Sequence, residues 1–353
     1  MKEKFLKKIF LFSALIFLLF NPLIFSQETQ NLPKASDSSQ IDDLIQSGID
    51  LTIKERYDLA ENDFKNVIFA EPENPAGYFF LGATYQMQML DWVSRFKEKE
   101  FLEYMQKAIE LSDQRLKRDE KDKWAYFYLG NSYGAKAIYD AKRGKWWSGF
   151  KNGLKARSAL KKAFEIDSLF YDCYVGLGSY HYWVSVYTKI FRWLPFLKDE
   201  RKKGIEELKI ASQKSLYSQT ASLYGLIWIY IQEKKFDDAI KLAKEMDEKY
   251  PESKLFLWGL CEAYFTKKDW ASAIDSYQSL LEKIGNEDKS KYQNTIECRY
   301  RIAQAYFKLG NKKECLSQCD KIFSYPLPLE VKKEYKDNLE KAKKLRQRCL
   351  ESD

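Results

Sequence analysis

The sequence repeats with a period of 34 residues in its C-terminal half. Residues 220–253 align with residues 254–287 without a gap. Residues of the same kind fall on one another at this offset: Leu226 on Leu260, Tyr230 on Tyr264, Phe236 on Trp270 and Ala239 on Ala273. A unit of this length cannot bury its own apolar face, so neighbouring units must stack against each other. The period therefore predicts an elongated array of similar units.

The same order of large, small and aromatic residues recurs through most of the chain. Further copies cover residues 41–74, 75–115, 123–170, 171–218 and 296–329. The sequence contains only 15 Gly and 8 Pro among 353 residues, which favours long helices over many short strands. We therefore predict an all-α fold, a solenoid or superhelix of seven helix hairpins over residues 41–329.

The repeated pattern resembles the tetratricopeptide repeat. In that family the first helix carries a large residue, then Leu beside a small residue, then Tyr, and the second helix carries Ala and an aromatic residue. The resemblance implies a concave groove, lined by first helices, that binds a peptide or a folded partner without chemistry. The groove positions that it implies are Tyr126, Asn131, Tyr174, Tyr224, Trp228, Trp258 and Glu262.

Units two to four are longer than the 34-residue period. Residues 75–115 form a unit of 41 residues, and residues 123–170 and 171–218 form units of 48. A helical turn takes about 3.6 residues, so the excess adds about one turn to each helix of unit two and about two turns to each helix of units three and four. We expect lengthened hairpins that project from one edge of the solenoid, with turns at Pro195 and at Gly144 and Gly149.

The tips of these lengthened hairpins are rich in aromatic residues. They include Trp92, Trp146, Trp147, Phe150, Trp183, Phe191, Arg192, Trp193 and Phe196. Three interpretations remain open: a small satellite core between neighbouring hairpins, an exposed protein-docking site, or a surface that contacts the membrane interface. The stretch 181–197 is too short, and contains too many cations, to be a spanning helix.

One part of this region has a resemblance of its own. Residues 176–211 are similar to a segment of the eukaryotic tetratricopeptide 39 or inclusion-body-clearance family. Both combine a Gly-x-Gly helix, an aliphatic-aromatic stretch and a helix of mixed charge. The resemblance implies a lengthened repeat, and it carries no catalytic residue to transfer.

The two ends of the chain differ from the repeats. Residues 1–26 combine a basic start with an apolar run, and Ile24 and Ser26 suit a cleavage site before Gln27. This pattern predicts a secretory signal peptide and export to the periplasm or cell envelope, with an uncleaved anchor as the alternative. Residues 27–40 are expected to be a flexible leader, and residues 330–353 a helix that caps the stack.

The sequence contains few of the residue patterns that catalysis requires. It lacks a Gly-rich phosphate loop and a Gly-x-Ser-x-Gly elbow, and His181 is its one histidine. We interpret His181 as a core or hairpin residue, and the six cysteines as small buried residues, with no cofactor or metal. The formal net charge of +8 comes from interleaved charges, which argues against nucleic acid as a partner.

These observations favour binding over catalysis. We expect a protein–protein interaction scaffold or adaptor, not an enzyme, whose partner is a protein or peptide in its groove, and we infer no small-molecule substrate. One alternative is an envelope-associated protein that docks on membrane, or on an integral membrane partner, through its aromatic hairpins. An enzyme of unknown class is the second alternative.

Overall fold

The computed structural model describes residues 38–191, 198–285 and 292–351, and the predicted signal peptide lies outside them. All regular structure in these ranges is helical, as predicted. The α-helices are α1 (Ser38–Ile53), α2 (Tyr57–Ala70), α3 (Pro75–Asp91), α4 (Glu98–Arg118), α5 (Lys123–Lys142), α6 (Trp146–Ile166), α7 (Cys173–Tyr187), α8 (Arg201–Lys214), α9 (Gln219–Gln232), α10 (Phe236–Lys249), α11 (Leu255–Lys267), α12 (Trp270–Gly285), α13 (Tyr292–Lys308), α14 (Lys312–Ser324), α15 (Leu329–Glu334) and α16 (Lys336–Leu350).

Helices α1 to α14 form seven successive pairs, which confirms the predicted hairpins. Within the described ranges the chain forms two compact units. The first comprises residues up to Met89 together with Arg95–Ile229, and the second comprises Leu90–Ser94 together with the chain from Tyr230 onward. In each unit consecutive helices pack on one another, as in the pairs α5–α6 and α7–α8 of the first and α11–α12 and α13–α14 of the second.

The third hairpin is lengthened as the sequence predicts. Helices α5 and α6 contain 20 and 21 residues, whereas α9 and α10 of an ordinary repeat contain 14 each. The turn between α5 and α6 includes Gly144, whose φ of +75° is easily adopted only by glycine. Gly149 was expected at a turn, but it lies inside α6, where a Cβ atom would come 2.9 Å from the Ala137 carbonyl oxygen. It therefore permits a close approach of the two helices.

The two helices of the fourth hairpin are not lengthened, so this part of the prediction was wrong. Helices α7 and α8 contain only 15 and 14 residues, and the additional residues lie between them, beginning with a 3₁₀ turn at Thr188–Phe191. The Ser185 hydroxyl accepts the backbone N–H of Glu200 at 2.9 Å, which returns the chain to the end of α7. The predicted turn at Pro195 lies outside the described residues.

The C-terminal end also differs from the sequence prediction. Instead of one capping helix over residues 330–353, the chain forms α15 and α16 with a break at Tyr335. The buried side of α16 consists of Ala342, Leu345 and Cys349, whereas the neighbouring Leu350 is exposed. At the other end, α1 begins at Ser38, within the predicted leader. The six cysteines are all buried, as expected.

Candidate functional site

Tyr217 packs against the first helices of the first compact unit, the helices on which a groove was expected. Its ring lies 5.7 Å from that of Phe80 on α3 and 5.3 Å from that of Trp124 on α5, measured between centroids. Its hydroxyl donates to Asp42 Oδ1 on α1 at 2.5 Å. One side chain thus contacts three first helices.

The loop that carries Tyr217 is fixed by the buried carboxylate of Asp172. The backbone N–H groups of Leu216 and Tyr217 each donate to it at 2.8 Å, and the Ser218 hydroxyl donates at 3.0 Å. Burial raises the pKa of Asp172, although these hydrogen bonds favour its charged form. Asp172 and Tyr217 were not identified from the sequence, because both lie in connections outside the repeated pattern.

Three of the groove residues implied by the resemblance lie in the core instead. Asn131, Tyr224 and Trp228 are buried, and the Asn131 amide donates to the Phe127 carbonyl oxygen at 3.0 Å. Burial leaves these three side chains little surface for a partner, and their role as groove contacts stays a prediction. Tyr126 and Tyr174 are half-buried, and their role as partner contacts stays a prediction.

The remaining two groove residues lie in the second compact unit. Trp258 is half-buried, and its ring lies 6.2 Å from that of Tyr277. Glu262 forms an ion pair with Arg301 at 3.3 Å, and it accepts the Tyr277 hydroxyl at the same distance. Glu262 therefore has two partners within its own chain.

An exposed apolar stripe runs along the first half of α6. Trp147, Phe150 and Leu154 follow one another at i, i+3 and i+7, a spacing that places them on one face of the helix. Trp147 is 68% exposed and Phe150 is 57% exposed, and their rings stack on each other at 5.8 Å. Trp146 is also exposed. We call these four side chains the α6 ridge.

The α6 ridge faces solvent because the opposite face of the helix is the one that packs. That face presents Gly149, Ala156, Ala159, Leu160 and Ala163, all of which are buried. Asp140 at the end of α5 accepts hydrogen bonds from Ser148 and Asn152, which fixes the start of α6 against its partner helix. Helix α6 therefore turns its mainly small residues towards α5 and its large apolar residues away from it, and the ridge stays uncovered.

The α6 ridge lies in a segment that contains no carboxylate. Between Asp140 and Glu165 there is no acidic residue. The same segment contains eight cations: Lys142, Arg143, Lys145, Lys151, Lys155, Arg157, Lys161 and Lys162. Lys151 Nζ lies 5.2 Å above the Trp147 ring, so one cation is in direct contact with the ridge. This charge pattern was visible in the sequence, as was Leu154, but sequence reasoning identified neither.

The other predicted hairpin-tip residues have different surroundings. Trp92 is half-buried, and Trp183 is buried, with its ring stacked on Tyr187 at 5.9 Å. Trp183 is therefore core, whereas Trp147 and Phe150 are surface, so these three side chains do not share one satellite core. The side chains of Phe191, Arg192, Trp193 and Phe196 lie outside the part of the chain that the structure describes.

His181 lies in a pocket of about 470 Å³ between α6, α7 and α8. Its Nδ1 lies 2.6 Å from Glu207 Oε2, and Lys203 Nζ lies 3.3 Å from its Nε2. A neutral ring with its proton on Nδ1 satisfies both contacts, since it donates to the carboxylate and accepts from the ammonium group. The histidine is buried, as the sequence analysis expected.

The chemistry available around His181 is that of an ion-pair network. The nearby Ser185 hydroxyl donates to the His181 backbone carbonyl at 2.7 Å, so it is not aimed at the ring. Among the described residues, no three His, Cys, Asp or Glu side chains are arranged as metal ligands would be. Charged side chains of both signs line the pocket, among them Lys203 and Glu207, but most of its lining is apolar and comes from residues such as Phe164, Leu177 and Ile210.

Comparison with known proteins supports the repeat assignment. Residues 230–296 match the family model described as tetratricopeptide repeat. The chain contains tetratricopeptide repeats. The solved APC/C hetero-tetramer Cut9–Hcn1 has a similar repeat fold, with a TM-score of 0.52 and 14% identity. This likeness covers 87% of our chain and 55% of the other, and it concerns the fold alone.

Two curated proteins are also similar in sequence to part of this repeat protein. One is the RxLR effector protein SFI4 of Phytophthora infestans, 32% identical over 115 residues, which are 30% of our chain and 33% of the effector. The other is the secreted RxLR effector protein RXLR-C07 of Plasmopara halstedii, 32% identical over 122 residues, which are 32% of our chain and 37% of that protein. The chain thus spans about a third of the length of the curated relatives it matches.

Proposed function

We propose that this repeat protein is a non-catalytic interaction scaffold that docks on an anionic membrane surface through the α6 ridge. The observation that carries the proposal is the exposure of Trp146, Trp147, Phe150 and Leu154 within a segment that has eight cations and no acid. Helices that lie in a membrane interface have this composition, with Trp, Phe and Leu on one face and Lys or Arg around them.

Charge complementarity supports lipid over protein as the occupant of the ridge. Each Lys or Arg near an anionic bilayer contributes about 1 kcal/mol of attraction. Exposed cations flank the ridge on both sides, with Arg143 and Lys145 before it and Lys151 and Lys155 beside it. Trp147 suits the headgroup level, where an amphipathic ring contacts both lipid tails and water.

Peripheral docking is also consistent with the length of the helices. In the described ranges, no helix combines the length and the apolar character needed to cross a bilayer. The stacked repeats would then act as a body held at the membrane, and tetratricopeptide repeats are consistent with protein partners on their remaining surfaces. Tyr217 bridges the first helices of the first unit, which favours surfaces other than those helices for such a partner.

Export is part of the proposal. Residues 1–26 have the pattern of a signal peptide. Export directed by this segment would bring the α6 ridge to an envelope membrane. One of the relatives is named as a secreted protein, which is consistent with this compartment. An uncleaved N-terminal anchor would serve the same end, since it would hold the ridge at a membrane surface.

Vesicle co-sedimentation tests the proposal. The purified protein is mixed with vesicles of phosphatidylcholine alone or with ~30% phosphatidylglycerol, a content that gives a surface potential of tens of millivolts. The ridge variant carries Trp147→Ser and Phe150→Ser. Its matched control carries Phe69→Ser and Leu169→Ser, two apolar residues that are 72% and 67% exposed in the same compact unit.

We expect the wild type and the control to bind anionic vesicles, and the ridge variant to bind at least about tenfold more weakly, because each large apolar side chain contributes ~1.5–3 kcal/mol on burial. Raising the salt concentration should weaken binding, since it screens the cations. Equal binding of all three proteins, or wild-type binding to neutral vesicles alone, would contradict the proposal. Failure of the wild type to bind either kind of vesicle would also contradict the proposal.

A further inference from the structure

Three cysteines meet at the C-terminal end of the second compact unit. Cys315 and Cys319 lie one turn apart on α14, and Cys349 lies in the last turn of α16. The Cys315 Sγ atom contacts Cys349 Sγ, and Cys315 also shares a hydrogen bond with Cys319. Cys315 is therefore the central sulfur of the cluster.

The cluster belongs to the apolar contact between the last two long helices. All three cysteines are buried, and they pack with Ala303 and Leu345. The partly buried rings of Tyr306 and Phe307 cover the same cluster. Since helix α16 packs on α13, α14 and the short α15, its position depends on this contact.

Metal binding does not account for this grouping. Thiolate sites for zinc use four ligands, and no set of three candidate ligands with suitable geometry is found in the described part of the chain. Oxidation is the other chemistry that adjacent thiols share. Two cysteines from different helices in direct sulfur contact are placed for a disulfide.

Helix geometry selects which two cysteines can pair. Residues four apart on one helix hold their Cβ atoms about 5–6 Å apart. A disulfide requires about 3.5–4.5 Å between Cβ atoms, so Cys315 and Cys319 could bond only if α14 unwound. Cys349 approaches from another helix, so it is free of that restriction.

We infer that Cys315 and Cys349 form a reversible disulfide that latches α16 onto α14. The oxidant is a low-molecular-weight disulfide such as oxidised glutathione. One protein thiolate attacks it, which gives a mixed disulfide and releases one glutathione thiol. The second protein thiolate then attacks the mixed disulfide and releases the other. The two protein thiols lose two protons and two electrons, and the oxidant becomes two thiols.

The position of Cys349 in the terminal helix gives the oxidant a route to buried sulfur. Besides apolar contacts, the polar contacts of α16 include an exposed ion pair between Arg346 and Asp320 at 2.6 Å, Arg348 against the Phe307 ring, and a hydrogen bond that the Asn338 amide donates to Glu297 at 3.1 Å. Terminal helices with few such contacts open locally at a small free-energy cost. Opening of α16 would expose both sulfurs, and closure after oxidation would lock the helix in place.

Peptide mapping of the oxidised protein tests the inference. The full chain is incubated with oxidised glutathione under native conditions, its remaining thiols are blocked with N-ethylmaleimide, and a non-reduced digest is analysed by mass spectrometry. We expect a linked peptide pair that contains Cys315 and Cys349. The same link should form in Cys319→Ser, which keeps the pair, and should be absent from Cys349→Ser.

A second readout measures whether the disulfide keeps α16 in place. Trypsin cuts within α16 only when the helix opens, at residues such as Lys344 and Arg346. Oxidation should slow this cleavage at least about tenfold in the wild type and in Cys319→Ser, because the crosslink restricts local unfolding. It should have no effect in Cys349→Ser.

Four results would overturn the inference. They are six free thiols after oxidation of the native protein, stable glutathione adducts without a crosslink, a link between Cys315 and Cys319, and unchanged cleavage of α16 in the crosslinked protein. The first three deny the bond, and the fourth denies that the bond holds the helix.

Discussion

The third and fourth hairpins are units of equal length that fold differently. Both span 48 residues. The third extends both of its helices and presents Trp147 and Phe150 to solvent. The fourth keeps two short helices and buries His181 and Trp183 between them and their neighbours. The length of an insertion therefore does not determine whether its residues extend the two helices or form the connection between them.

Local contacts explain the difference. In the third hairpin Gly149 lets α6 approach α5 beyond the ordinary repeat length, so both helices can continue. In the fourth, the Ser185 hydroxyl accepts a hydrogen bond from the Glu200 backbone N–H. This bond joins the end of α7 to the start of α8, so neither helix extends further. Changes at these contacts should therefore affect the two hairpins differently.

Gly204→Ala should be the most damaging change. A Cβ atom at this position would meet the backbone of α7, at the Gly178 carbonyl oxygen and, at 2.8 Å, the Tyr182 nitrogen. Backbone cannot move aside as a side chain can, so we expect a loss of about 3 kcal/mol or more in the free energy of unfolding, measured by urea denaturation. A loss below about 0.5 kcal/mol would show that α7 and α8 are not packed this closely.

His181→Phe should destabilise the fourth hairpin by about 3 kcal/mol, because it removes a partner from a largely buried carboxylate. Glu207 would retain only Lys203, which lies 3.9 Å away. The control is Glu206→Gln, since Glu206 is an exposed neighbour on the same helix. Equal unfolding midpoints for the two variants would contradict a structural role for the His181–Glu207 pair.

Gly149→Ala and Gly153→Ala form a matched pair within α6. Alanine at 149 would meet the Ala137 carbonyl oxygen, whereas a Cβ at 153 would have open space around it. We expect a loss of about 1–3 kcal/mol for the first and a gain of up to about 1 kcal/mol for the second, from helix propensity. Thermal unfolding followed by circular dichroism measures both. Similar shifts for the two variants would refute the close helix approach.

Ser185→Ala should cost about 1 kcal/mol, the typical contribution of a hydrogen bond. The Glu200 N–H would lose its acceptor, and the connection between α7 and α8 would open more often. Hydrogen exchange at Glu200 should become faster, while exchange in α5 and α6 should not change. Unchanged exchange at Glu200 would mean that this bond does not close the hairpin.

The double change Trp147→Ser and Phe150→Ser should leave stability within about 0.5 kcal/mol of the wild type, because both side chains are largely exposed. The unfolding midpoint in urea checks this expectation. A marked loss of stability would place these rings in a core and would remove the ridge as a surface.

The repeated helices could be predicted from the sequence because their packing residues recur at a fixed spacing. Leu226 and Tyr230 have counterparts 34 residues later. The pattern of one helix pair therefore predicts where the next pair lies. Tyr217 could not be found in this way. It contacts Asp42 across 175 residues of sequence, and no periodic pattern encodes a contact of that kind.

Exposure of the aromatic residues was equally hidden from sequence reasoning. Trp147 and Trp183 both follow helical spacing and both have aromatic neighbours, yet one is surface and the other is core. A stripe at helical spacing has the same pattern in either case. The absence of acids between Asp140 and Glu165 was the sequence signal that distinguished the third hairpin, because a packed core does not need an excess of cations.

Tryptophan quenching reports contact between the α6 ridge and lipid tails. The protein contains nine Trp residues, so the wild type is compared with a Trp146→Phe and Trp147→Phe variant, which keeps the apolar surface. Both are mixed with phosphatidylglycerol vesicles whose acyl chains carry bromine near the headgroup. We predict that the wild type loses a larger fraction of its emission than the variant. Equal quenching of the two proteins, or none, would contradict docking through α6.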